Sequence, residues 1–151
     1  MKAFDSMRAL LDVNVLIATV DPNHQHHLIA AAWFAHYVPQ HGWASCPLTQ
    51  NGVVRIIGNK GYPNPQPVAA TVLRLQAMCA HASHQFWPDD VSLLDSATFN
   101  HDKLLKSDNL TDVYLLALAA RREACFVTLD GSVVTNAVVG FRPAHQLRLI
   151  P

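Results

Sequence analysis

Residues 8–17 read RALLDVNVLI, a run whose apolar character past Arg8 is broken only by Asp12 and Asn14. A strand covered on both faces carries this kind of continuous apolar stretch. The spacing therefore predicts a central parallel strand from Arg8 to Ile17, with its polar residues toward the carboxyl end. Asp21-Pro22 follows as a cap and a first-turn proline. Ile29, Trp33 and Tyr37 then recur every four residues and predict a helix over about His24 to Val38.

The same alternation continues outward. A short strand is expected from Trp43 to Cys46. A helix capped by Thr49 and carrying Val53, Val54, Ile56 and Ile57 should then run to near Gly58. NKGYPNPQP, residues 59–67, must be a loop, because three prolines at alternate positions suit neither a helix nor a central strand. Val68, Val72, Leu75 and Cys79 are spaced as on a helix, and Phe86-Trp87 reads as a brief strand. TDVYLLALAARR, 111–122, is a helix that starts at Thr111-Asp112 and ends on a basic pair favoured by its dipole. Ala124 to Asp130 forms a further buried strand and HQLRLI, 145–150, a last one; 89–106 carries no clear pattern. Strands and helices in alternation predict a single α/β domain, a three-layer α/β/α fold on a mainly parallel central sheet.

Bulk composition narrows the function classes. Of 151 residues, 11 are Lys or Arg and 11 are Asp or Glu, so a uniformly basic nucleic-acid binder is excluded. Half the residues are hydrophobic and 15% are charged, which excludes a disordered chain. Apolar runs such as Val113 to Ala120 fall short of the ~20 residues that a membrane helix needs, so a soluble protein is expected. The start, MKAFDSMRALLDVNV, has no leader pattern, so a chain that stays in the cytoplasm is expected. Cys46, Cys79 and Cys125 are odd in number and without CxxC spacing, and read as buried free thiols. The zero net charge hides a segregation. No acid occurs from Pro22 through Pro88, whereas seven of the ten Asp lie from Asp89 onward and Glu123 is the one Glu.

Three of those acids fall where chemistry is expected. Asp12 lies late in the first strand, Asp112 at a helix start, and Asp130 directly after a strand. In an open parallel sheet such positions converge on one edge, where ligands bind. Carboxylates brought together there repel unless they are protonated or neutralised by a cation. All-oxygen sites suit Mg²⁺ or Mn²⁺.

LLDVNVLI, TDVYLLALAAR and FVTLD together resemble the PIN-domain nucleases, specifically the ribonuclease toxins of bacterial VapBC toxin–antitoxin pairs. DPNHQHHLIAAAWF, CPLTQNGVVRI and FWPDDVSLLD stand between them in the expected order. The resemblance implies metal-assisted hydrolysis of RNA phosphodiesters, with Asp12, Asp112 and Asp130 holding Mg²⁺ or Mn²⁺ and Asn14 and Thr128 orienting them. It also implies a VapB-type antitoxin partner and a toxin homodimer. Many PIN nucleases carry a Glu in the helix after the second strand; here that helix opens Leu48-Thr49-Gln50-Asn51-Gly52. Gln50 or Asn51 is the candidate neutral substitute, Asp108 the neighbouring acid that completes the site, and Arg55 a candidate phosphate contact.

Blander readings stand beside these. Asp112 can serve the helix dipole alone, Asp130-Gly131 is an ordinary turn pair, and Asn14 can satisfy local backbone groups. His24, His26 and His27 suggest zinc, but a solvated helix start accounts for them better. Asp89 and Asp90 read as turn or cap residues, Lys60, Arg121 and Arg122 as surface cations, and Trp33, Tyr37 and Trp43 as core. Two other functions compete. One is a haloacid-dehalogenase-like phosphohydrolase with Asp12 as nucleophile, for which DVN is an imperfect DxD. The other is a catalytically weak PIN-like binding module, motivated by the absent Glu.

Overall fold

The computed structural model describes residues 7–151. The leader reading rests in part on residues 1–6, which lie outside the described residues. Five short strands, β1 (Ala9–Leu11), β2 (Trp43–Ser45), β3 (His84–Phe86), β4 (Cys125–Thr128) and β5 (Gln146–Arg148), form one sheet ordered β3-β2-β1-β4-β5. Every neighbouring pair is parallel. The helices are α1 (Val13–Val20), α2 (His27–His41), α3 (Pro47–Ile57), α4 (Val68–Cys79) and α5 (Leu110–Arg121). No helix among the described residues is long and apolar enough to cross a membrane.

Side-chain alternation along the strands makes the three layers. Ala9, Leu11, Trp43, Cys125 and Val127 share one core with α1 to α4. Leu10, Ala44, Phe126 and the buried face of α5 share the other, together with Phe99 and Val138 from the irregular segments. Trp43 and Tyr37 are buried as expected, and the half-buried Trp33 stacks on Tyr37 at 5.0 Å. Cys46 and Cys125 are buried free thiols and Cys79 is half-buried.

The strand expected from Arg8 to Ile17 is corrected by the structure. It ends at Leu11, and Asp12 turns the chain into α1 with ψ at 154°. VNVLIATV is buried nearly all round, so its residues carry no polar stripe that would separate helix from strand. Downstream boundaries shift in consequence. Asp21 closes α1, its carboxylate accepts from the Asn23 N–H at 2.9 Å, and α2 begins at His27 instead of near His24. Helix α3 starts at Pro47 behind Cys46, so Thr49 is not the residue that precedes it. It sits in the first turn, where its hydroxyl accepts from the Cys46 N–H at 3.0 Å. The brief strand expected at Phe86-Trp87 is His84–Phe86.

Candidate active site

β1 is where the sheet reverses direction: the chain builds outward through β2 and β3 on one side, then returns to place β4 on the other. Such a switch point opens a crevice beyond the strand carboxyl ends. A cleft of about 300 Å³ lies there, lined by Asp12, Asn14, Gly52, Arg55, Thr111 and Asp112 among others.

Asp12 directly follows β1 at the N-cap position of α1, and it is only 3% exposed. The Thr128 hydroxyl at the end of β4 donates to its Oδ2 at 2.7 Å. Burial pushes the Asp12 carboxyl up to about 6, against the opposing help of Thr128 and the Val13 N–H. Asp112 occupies the first turn of α5. Burial, then the neighbouring charges of Asp12 and Asp130, push it up to about 7. Asp130 lies below the usual carboxylate range because the Ser132 backbone and hydroxyl both donate to its Oδ1 at 2.8 Å. Asp112 and Asp130 are near enough for a carboxyl–carboxyl hydrogen bond, which raises Asp112 and lowers Asp130.

The candidate orienting groups occupy the same edge. The Thr128 hydroxyl also accepts from the Asp130 N–H at 3.0 Å, and Asn14 Oδ1 accepts from the Leu129 N–H at 3.3 Å. Arg55 is exposed on the α3 wall of the cleft. Gln50 and Asn51 line a separate depression with Leu75 and Cys79, and Gln50 donates to Ser45 Oγ at 2.9 Å. Asp108 is exposed in the 3-10 turn Ser107–Asn109 that leads into α5 and is not among the residues lining the cleft. The positions of α3 that do face the acids are Leu48, Gly52, Arg55 and Ile56.

Several polar groups have other partners. Asp89 accepts from the Leu48 N–H at 3.1 Å, so it caps α3 from across the fold. Asp90 pairs with Arg122, which also lies over the Trp87 ring. His24 Nδ1 accepts from the His26 N–H, and the His27 ring bonds the Ala18 carbonyl at 2.7 Å.

Among the described residues, no three His, Cys, Asp or Glu side chains are gathered closely enough to hold a metal ion as they stand. Asp12, Asp112 and Asp130 instead interact across an open cleft. That donor set fits a hard divalent cation that keeps part of its water shell. Two carboxyls held near neutral pKa by burial and mutual repulsion are also groups that such a charge would relieve.

A parallel α/β sandwich with acids gathered at its switch point is the architecture of a PIN-type nuclease domain. No protein-family model matches the chain. It is, however, 44% identical to Ribonuclease VapC44 of Mycobacterium tuberculosis over 143 residues, covering 95% of this chain and all of that protein. Ribonuclease VapC39 of the same organism is 42% identical over 89% of this chain and 96% of its own length. Among solved structures, M. tuberculosis VapC20, a sarcin-ricin loop cleaving toxin, superposes with a TM-score of 0.60 at 13% identity, covering 89% of this chain and 99% of that one. The chain belongs to the VapC family of ribonuclease toxins.

Proposed function

We propose that this VapC-family chain is a Mg²⁺- or Mn²⁺-dependent ribonuclease that hydrolyses RNA phosphodiester bonds in the cytoplasm and is silenced by a cognate VapB-type antitoxin. One observation carries the reading: a nearly inaccessible Asp12 shares its electrostatic field with Asp112 and Asp130 at the sheet's switch point. A buried carboxylate without a cationic partner is costly, and Asp12 held beside two further, partly buried carboxylates is a site suited to receive positive charge.

Asp12, Asp112 and Asp130 would hold the cation. When bound, it supplies the charge that makes water a competent nucleophile and steadies the developing oxyanions. Thr128 fixes the Asp12 carboxylate and the Asp130 backbone through one hydroxyl, and Asn14 ties the same loop at Leu129. Asp112, raised to about 7, would lose its proton on binding the cation. Arg55 presents a cation to a phosphate entering along α3. Similarity to ribonucleases favours phosphodiester hydrolysis over an aspartyl-phosphate route through Asp12. Exposed Leu28 on α2 and Leu73 on α4, 83% and 66% accessible, fit surfaces that an antitoxin or a second toxin copy would cover.

Inducible expression of wild type and Asp12→Ala without the partner, with RNA ends mapped by sequencing, tests the proposal. Growth arrest and a discrete set of new ends from wild type alone are expected. Equal toxicity from both chains removes Asp12 from the mechanism. Cation binding without cleavage of any RNA points to a binding module instead.

A further inference from the structure

Arg8, Arg121, Arg122 and Arg142 are all engaged with protein carbonyls or carboxylates. Arg148 is different. It is exposed and makes no hydrogen bond or close ion pair among the described residues, yet it stands at the carboxyl end of β5 in register with Thr128. Thr128 is the residue that holds Asp12. The Arg148 guanidinium packs over Gly131, where a Cβ would overlap it, so the glycine lets the cation reach the Asp130 loop. Asp130 feels its charge.

Sheet order sets the geometry of this cation. β5 and β4 lie on one side of β1, while Arg55 comes from α3, which follows β2 on the other side. Arg55 thus lines the acid cleft from its α3 side, and Arg148 stands beside the Asp130 loop on the β4–β5 side.

We propose that Arg148 is a positioning residue that grips a backbone phosphate of single-stranded RNA next to the one being cut, in a seat that Gly131 keeps open. The inference rests on the ribonuclease reading above. A planar guanidinium with free donors suits a phosphate better than an ammonium does, and such a contact places the strand without reading its sequence. It also explains how a chain of zero net charge engages a polyanion, since these cations stand beside a cleft that a metal would neutralise.

Cleavage of total cellular RNA by the full chain with Mn²⁺ comes first, and a labelled single-stranded RNA spanning a mapped cut serves thereafter; no cleavage of any RNA by wild type would defeat the ribonuclease reading and this inference with it. Given cleavage, Arg148→Gln is expected to raise KM about tenfold with kcat changed less than about twofold, and Arg148→Lys to recover part of the loss. In an Asp12→Asn background, where RNA stays intact, anisotropy titrations should show the salt slope of log K reduced by about 0.7, the loss of one single-strand phosphate contact. Gly131→Ala should weaken binding when Arg148 is present and add little to Arg148→Gln, because both remove the same seat. An unchanged salt slope, a fall in kcat alone, or additive effects of Gly131→Ala and Arg148→Gln would each overturn the assignment.

Discussion

The hydroxyl of Thr128 donates to Asp12 Oδ2 at 2.7 Å and accepts from the Asp130 N–H at 3.0 Å, so one side chain fixes two of the three acids. Thr128→Val keeps the volume and removes both bonds, leaving a buried carboxylate short of a donor. A stability loss of about 2 kcal/mol at neutral pH is expected by urea unfolding, with Thr128→Ser much closer to wild type. A valine variant as stable as wild type would mean that Asp12 does not depend on this donor.

Metal-free stability should fall as pH rises through the acid side of neutrality. Asp12 and Asp112 sit near 6 and 7 in the folded chain and near 4 when unfolded, so the folded state binds more protons between those values. Their contribution is fully present below about pH 4 and lost as pH passes 6 and then 7. About 2 kcal/mol in total is expected between pH 5 and pH 8, once solvent screening of the half-buried Asp112 is allowed for. Thermal melts in EDTA across that range check it. Asp112→Asn should flatten the curve, and a profile identical to wild type would show that Asp112 is not titrating there.

Protons and cation compete for the same oxygens, which gives activity the opposite pH trend. Cleavage at limiting Mn²⁺ should rise through about pH 6 to 7, and its midpoint should move lower as Mn²⁺ is raised. Rates measured at several Mn²⁺ concentrations decide this. A midpoint independent of Mn²⁺ would separate the titrating group from the cation site.

The arrangement of strands and helices is readable from the sequence because parallel strands and their helices carry distinct apolar patterns, and the carboxyl-edge position of Asp12 and Asp130 follows from it. The β1–α1 junction is not. VNVLIATV is apolar on nearly every face because it is packed on nearly every face, so neither period stands out. Long-range geometry is also beyond reach. Asp89 caps α3 across 41 residues, and Arg148 meets Thr128 only through the β4–β5 register. HQLRLI reads as a strand, with no sign of which neighbour its arginine will face. On α3, only packing shows that Gln50 turns toward Ser45 while Gly52 and Arg55 turn toward the acids.

Gly52 of α3 packs against Val13 of α1, and substitution there should reach the acids through Val13. A Cβ at 52 would lie 2.8 Å from Val13 Cγ2 and 3.3 Å from Cγ1. Val13 is β-branched, has little rotamer freedom in the first turn of α1, and directly follows Asp12. Gly52→Ala gains about 1 kcal/mol of helix propensity but forces an overlap costing about 1–3 kcal/mol, so a net loss of about 1 kcal/mol is expected. RNA cleavage measured well below the melting transition should fall further than that loss implies, because moving Val13 moves the backbone that presents Asp12. Val13→Ala in the same chain should restore much of both, a coupling that a double-mutant cycle reads directly. If Gly52→Ala proved stabilising and fully active, α1 and α3 would have room to separate, and the glycine would owe its place to something other than this contact.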